Sequence, residues 1–241
     1  MSAVCFLVLS VFVFAQSKKS VKKIPVQKVI PKNDLEKIND SIPDLIPQRV
    51  NGKLGFVNQK GKMIIKPEYN FGTFFWEDCN LLNSPDEKLR KFGTADYASV
   101  TADDKDYRID KTGKKVYTFK KEDLGQCPAI YRESIFQPYI QQGFYGIVEG
   151  AKFSDPKDYR QFSIYPQYQY LHVMESSDLK NPMIIASIND LFGVIDIHNN
   201  IIIPFEYADI KRNFSWRMAR MFEVTKDGKN YYFIDSKNKA Y

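Results

Sequence analysis

The sequence predicts an all-β fold: tandem antiparallel three-stranded meanders forming an open solenoid-like or propeller-like array. The leading observation is a phrase that occurs twice. Leu54-Gly55-Phe56-Val57-Asn58, then Ile64-Ile65-Lys66-Pro67-Glu68-Tyr69, is echoed by Phe192-Gly193-Val194-Ile195-Asp196, then Ile202-Ile203-Pro204-Phe205-Glu206-Tyr207, with fourteen steps from glycine to tyrosine in both. The same frame finds weaker copies at Tyr107-Arg108-Ile109-Asp110, Gly146-Ile147-Val148-Glu149 and Tyr232-Phe233-Ile234-Asp235. With 55, 107, 146, 193 and 232 as equivalent positions, the intervals are 52, 39, 47 and 39 residues. Periods of roughly 20 to 50 residues are those of solenoids, propellers and arrays. Fifteen Tyr and eighteen Phe supply the interior such a stack needs. Phe56, Tyr69, Tyr168, Phe192 and Tyr207 are expected to pack unit upon unit, the competing reading being a row of sugar-stacking rings.

Along the chain, residues 1–15 read as a signal peptide. Ala3 to Phe14 is apolar apart from Ser10, too short for a span of about 20 residues but right for a signal core, and Val13-Phe14-Ala15 suits cleavage after Ala15. No Lys or Arg precedes the core, so a misplaced start or an uncleaved anchor is the alternative. Cys5 lies too early to be a lipoprotein acceptor. Residues 16–46 read as a polar basic linker punctuated by Pro25, Pro31 and Pro43, with a short helix at Asp34 to Asn39 capped by Asn33. Its lysines Lys18, Lys19, Lys22 and Lys23 belong to a flexible tether, or else make peripheral contact with an acidic membrane or polymer.

Residues 47–241 form the repeat domain of about five units, the last truncated. In the first unit, Leu54 to Asn58 and Met63 to Lys66 are β-prone runs around Gln59-Lys60-Gly61, where glycine supplies positive φ for a hairpin. Lys111-Thr112-Gly113, His198-Asn199-Asn200 and Lys226-Asp227-Gly228 offer the same turn residues, with Asn199 in the place of Gly61. Pro67, Pro166 and Pro204 are expected to end the second strand, since proline has no ladder donor. A third strand is expected after each close, at Cys79 to Leu82, Ala129 to Tyr131, Met183 to Ser187 and Met218 to Thr225. Glycine inside a strand costs about 0.5 to 1 kcal/mol against alanine, so Gly55, Gly146 and Gly193 imply close approach by another group.

At these residues the chain resembles the WG-containing repeat family, tandem β-rich units in which an aromatic-glycine pair precedes a hydrophobic-acidic strand end, a Gly-Lys turn and an Ile-Pro-x-Tyr close. The resemblance covers about residues 47 to 241. Leu54, Tyr145 and Phe192 stand where the family has tryptophan, and Asp106-Tyr107 and Tyr231-Tyr232 have lost the glycine too. Asp110, Asp196 and Asp235 keep the acidic strand end. The resemblance implies a repeat fold and no common activity, so it transfers no catalytic residue and no cofactor.

Composition narrows the function. The chain carries a formal +6, of which residues 16–50 hold +4 and residues 51–241 only +2. A nucleic-acid binder concentrates its basic residues on the folded part, so this distribution argues against one. Cys79 and Cys127 remain after signal removal, and an exported pair invites a disulfide, the alternative being two separate buried thiols. His172 and His198 have no Cys or carboxylate at ligand spacing. Asp103, Asp104, Asp106 and Asp110 lack the glycine and terminal glutamate of a calcium loop and read as a solvated hairpin entry. No nucleophile elbow, phosphate loop or dinucleotide fingerprint occurs.

Departures from the repeat mark the candidate interaction surface. The third copy carries eight extra residues, and Lys152, Phe153, Asp155, Lys157, Asp158, Tyr159 and Arg160 fill that stretch. Insertions in repeat proteins map to loops on one face, often the binding face. Asn83 to Thr94 makes a second inserted loop. The plainer reading, and the favoured one, is that both are tolerated surface excursions, since loops accept insertions at little thermodynamic cost. The expectation is an exported, non-catalytic module binding protein or cell-envelope glycan. A glycan-active hydrolase or a purely structural envelope component is the alternative.

Overall fold

Positive φ at both central residues of a two-residue loop builds the first hairpin of four units: Asn51-Gly52, Asp103-Asp104, Gln142-Gly143 and Asn189-Asp190. That is type I′ geometry, whose twist matches the flanking strands. The computed structural model describes residues 40–76, 79–81, 84–90, 94–121, 134–176 and 178–241. Within them lie five antiparallel sheets. The first holds β1 (Leu45–Val50), β2 (Lys53–Asn58) and β3 (Met63–Tyr69). The second holds β4 (Phe71–Gly72), β5 (Tyr97–Ala102), β6 (Lys105–Asp110) and β7 (Lys115–Thr118). The third holds β8 (Phe136–Gln141), β9 (Phe144–Glu149) and β10 (Phe162–Tyr168). The fourth holds β11 (Tyr170–Val173), β12 (Ile184–Ile188), β13 (Leu191–Ile195) and β14 (Ile201–Tyr207). The fifth holds β15 (Asp209–Ile210), β16 (Met221–Thr225) and β17 (Tyr232–Asp235). Two short helices, α1 (Glu87–Arg90) and α2 (Ser215–Ala219), interrupt the array.

The repeated phrase occupies one place in three sheets. Leu54, Tyr145 and Phe192 pair with Tyr69, Tyr168 and Tyr207, while Phe56, Ile147 and Val194 pair with Ile65, Ile164 and Ile203. Between these pairs the single glycine therefore faces three residues of the partner strand, and the surplus backbone bulges onto it. A Cβ on Gly55 would lie 2.5 Å from the Ile65 carbonyl oxygen, and on Gly146 2.6 Å from that of Ile164. On Gly193 it would meet the Ile203 carbonyl oxygen at 2.7 Å and the Phe205 ring at 3.0 Å. Backbone rather than an aromatic lid is thus the main reason for these glycines.

The second hairpin is closed by the residue at the strand end. Asn58, Asp110, Asp196 and Asp235 each accept, through Oδ1, the backbone N–H groups two and four residues on, at 2.8 to 3.1 Å. Gly61, Gly113, Asn199 and Asn238 follow with φ of 80°, 83°, 67° and 61°. This pattern is a turn ended by a left-handed residue, for which Gly and Asn are suited. The acidic strand end is accordingly a turn clamp, and Asp103 and Asp104 are the tip of the other hairpin.

Four expectations need correcting. The third strand of each meander precedes the glycine strand: β12 pairs with β13, and β16 with β17. The tight turn after β12 forces it onto its successor, whereas the chain leaving Tyr168 runs on into β11. Cys79 to Leu81 is not strand, Met218 lies in α2, and Ala129 to Tyr131 falls outside the described residues. Pro67, Pro166 and Pro204 lie inside β3, β10 and β14, because the bulge leaves no ladder hydrogen bond for them to break. Lys226-Asp227-Gly228 belongs to the β16–β17 connection, the other hairpin of the unit. The packed body also begins before residue 47, since Ile42, Leu45 and Ile46 are buried. Residues 1–39, with the expected signal peptide, helix and lysines Lys18, Lys19, Lys22 and Lys23, lie outside the described residues.

Apolar cores form between sheets. One joins units one and two through Phe56, Tyr69, Val100 and Ile109, another units three and four through Ile147, Tyr168 and Ile184, and a third units four and five through Tyr207, Phe222 and Trp216. Phe56, Tyr69, Tyr168 and Tyr207 are core rings, while Phe192 is half-exposed. The tyrosine of each close reaches the left-handed turn residue of the next unit. Tyr69 donates to the Gly113 carbonyl at 3.3 Å, Tyr168 to Asn199 Oδ1 at 2.6 Å, and Tyr207 to Asn238 Oδ1 at 2.5 Å. A fourth core joins the last unit to the first, with Met221, Phe233, Ala219 and Tyr241 against Ile42, Ile46, Val57 and Phe74. The array is curled and its two ends meet.

Candidate functional site

The meeting of the first and last units leaves the cleft. It encloses about 640 Å³. One wall carries Gln48, Arg49, Leu54, Phe71 and Phe74; the other carries Lys211, Asn213, Glu223, Lys229, Asn230 and Tyr231 to Phe233. At this junction the tyrosine-to-turn bond is replaced by Lys239 Nζ donating to the Gln59 carbonyl at 3.1 Å.

The walls combine aromatic surface with fixed polar groups. Phe71 is 58 % exposed, while Tyr231 and Tyr232 are half-buried. Lys211 lies 2.6 Å from Glu223 and 4.2 Å above the Tyr231 ring centroid. Asn213 Nδ2 donates to Glu223 at 2.6 Å, and the Tyr231 hydroxyl donates to Asp209 at 2.7 Å. That bond, with desolvation and the neighbouring carboxylates, raises the Tyr231 pKa and keeps the phenol neutral. The Arg49 guanidinium donates to the carbonyls of Gly52 and Asn70, both at 3.2 Å. Lys229 and Asn230 project from a loop whose backbone is gathered by Asp227, which accepts from both N–H groups at 2.8 and 2.7 Å. Those bonds hold the Asp227 carboxyl far below the usual carboxylate range.

The inserted stretch of the third unit lies elsewhere and spends most of its polar groups on itself. All of its extra residues fall in the second hairpin, between Glu149 and Phe162. Lys152 pairs with Glu149 at 2.9 Å; Asp158 accepts from the Arg160 backbone at 3.1 Å and side chain at 2.8 Å; Asp155 accepts from the Lys157 N–H at 2.9 Å. Phe153 turns inward, its ring 4.8 Å from Tyr139 and 5.4 Å from Phe162. Tyr159, 71 % exposed, projects outward. A shallow cavity of about 290 Å³ sits beneath, lined by Glu149, Lys152 and Arg160 to Ser163.

Of the other candidates, Cys79 is disulfide-bonded, and Cys127 lies outside the described residues. His172 sits half-buried in β11, where burial and then the nearby Arg212 charge lower its pKa. His198 is a turn residue whose N–H donates to Asp196. Among the described residues no group of three His, Cys, Asp or Glu side chains is placed to hold a metal, and no helix is long and apolar enough to cross a membrane.

Sequence reasoning missed the cleft. Arg49, Phe71, Lys211 and Lys229 belong to no repeated motif, and the contact that assembles them spans about three quarters of the chain. Comparison with known families matches the WG containing repeat at residues 55–81 and 192–215, the two copies of the repeated phrase. No curated protein and no solved structure matches the chain.

Proposed function

With its strongest two units matched as WG repeats, we propose that this chain is an exported, non-catalytic binding module that holds carbohydrate in the cleft between its first and last units. The observation that carries the reading is the wall composition: an exposed phenylalanine, half-buried tyrosines and side-chain amides around one volume. Flat apolar rings match the apolar faces of sugars, and a few placed polar groups fix orientation. Glycoside hydrolysis uses two facing carboxyl groups. Glu223 is the one carboxylate among the lining residues, and Lys211 and Asn213 already hold it. Export is supported by the apolar run from Ala3 to Phe14 and by the disulfide at Cys79.

A protein ligand is the second reading. It is favoured by Ile140, Phe144, Ile188 and Leu191, exposed at the hairpin tips of units three and four. To test the carbohydrate reading, purified protein is titrated with envelope polysaccharide fragments by calorimetry, alongside Phe71→Ala. Saturable binding that weakens about tenfold in the variant is expected, a ratio equivalent to about 1.4 kcal/mol for the lost ring contact. Turnover of any fragment that vanishes in Glu223→Gln would replace binding with hydrolysis. Fragment binding unchanged by Phe71→Ala would remove the cleft from the account.

A further inference from the structure

The charges of the cleft do not balance. Its lining holds Arg49, Lys211 and Lys229 against Glu223. Lys211 and Glu223 cancel each other at 2.6 Å. Arg49 spends two of its five donors on neutral carbonyls, which aim the guanidinium without offsetting its charge. Lys229 is exposed on a loop fixed by Asp227, and neither cation is ion-paired to a described residue. Two cations without an ion-pair partner thus face the cleft, while the Asp227 and Asp209 carboxylates are taken up behind the wall by the Lys229 and Asn230 N–H groups and the Tyr231 hydroxyl; a cleft lined this way favours an anion.

Resting on the carbohydrate reading of this cleft, we propose that its ligand is an acidic glycan, with sugar rings on the aromatic wall and carboxylates taken by Arg49 and Lys229. A guanidinium fork matches a carboxylate in two parallel hydrogen bonds, whereas an ammonium acts as a point charge. The two cations lie on opposite walls, Arg49 in unit one and Lys229 in unit five. An acidic chain lying along the cleft can meet both. A neutral glycan gains nothing from either.

The test uses the full chain and three probes: a galacturonate oligosaccharide, the same oligosaccharide with its carboxyl groups reduced to alcohols, and polyglutamate of similar charge. The galacturonate oligomer is expected to bind about tenfold or more tighter than its reduced form, with affinity falling as salt rises. Arg49→Gln and Lys229→Gln are each expected to weaken galacturonate binding severalfold and leave binding of the reduced form unchanged. Thermal unfolding of both variants should match the parent, since neither side chain is buried. If the reduced form binds as tightly as the acid, or both variants bind the acid normally, the acidic inference falls while the carbohydrate reading stands. If polyglutamate matches galacturonate and the reduced form does not bind, the cleft reads charge alone and both fall. Binding of none of the three overturns the acidic inference, while fragment binding through Phe71 would still uphold the wider reading.

Discussion

Replacing Gly55 by alanine probes the repeat at its tightest point. The new methyl would sit 2.5 Å from the Ile65 carbonyl oxygen, 2.8 Å from the Pro67 nitrogen and 2.9 Å from the Lys66 carbonyl carbon. All three are backbone atoms, so no flexible side chain can swing away. Relief requires moving the bulge of β3, which carries Ile65 and Tyr69 into the core of units one and two. Overpacking of this kind costs about 1 to 3 kcal/mol. Restricting the unfolded chain returns about 0.4 to 1 kcal/mol. A net loss of about 1 to 2 kcal/mol is expected, or a fall in Tm of about 2 to 8 °C for a chain of this size. Urea and thermal unfolding followed by circular dichroism measure it. Gly61→Asn in the same hairpin serves as the control: its φ is +80°, no atom lies within 4 Å of its Cβ, and Asn199 and Asn238 already occupy equivalent places. If Gly55→Ala unfolds at the parent midpoint, close backbone approach is not why the repeat keeps its glycine.

Three further outcomes follow from the same geometry. Asp196→Ala removes the acceptor of the His198 and Asn200 N–H groups and is expected to cost about 1 to 3 kcal/mol; Asp196→Asn should cost far less, because Asn58 does the same work, and equal losses in urea melts would contradict the clamp. Tyr207→Phe, which deletes the 2.5 Å bond to Asn238, should lose about 1 kcal/mol, whereas exposed Tyr165→Phe should lose nothing measurable. Burial, reinforced by Arg212, lowers the His172 pKa. The unfolded chain therefore binds the proton first, so this contribution is present above pH about 6.5 and is lost as pH falls through the depressed folded value. His172→Asn should flatten the acid side of the stability profile, and an unchanged acid limb would refute that.

The local grammar of the unit was legible and its long-range assembly was not. Gly61, Gly113 and Asn199 announce a left-handed turn because few residues accept that backbone, and they sit in one. The glycine and tyrosine of the repeated phrase announce a fixed register, and β2–β3 and β13–β14 share it. The partner of the third strand is hidden because apolar runs alone fit pairing on either side; only the two-residue turn Asn189-Asp190, with positive φ at both residues, directs β12 onto β13. A proline within β-prone sequence signals a strand end, whereas Pro67 sits inside β3 at a register shift that leaves no mark of its own in the sequence. The cleft depends on Arg49 and Lys229 meeting across the curl, and no period or motif links them. The inserted loop was legible as an insertion, but the inward turn of Phe153 onto Tyr139 follows from packing.

The tyrosine-to-turn bonds run in one direction and are not continuous. They tie unit one to two, three to four and four to five. In the second copy the equivalent of Tyr69 is Lys121, and none of the cores formed by described residues joins unit two to unit three. Among the described residues the fourth core, where Met221 and Phe233 pack against Ile46 and Val57, is therefore what keeps the two ends of the curl together. A guest lying across the cleft would brace that same seam, and protection of its amides from hydrogen exchange would rise when the mouth is filled.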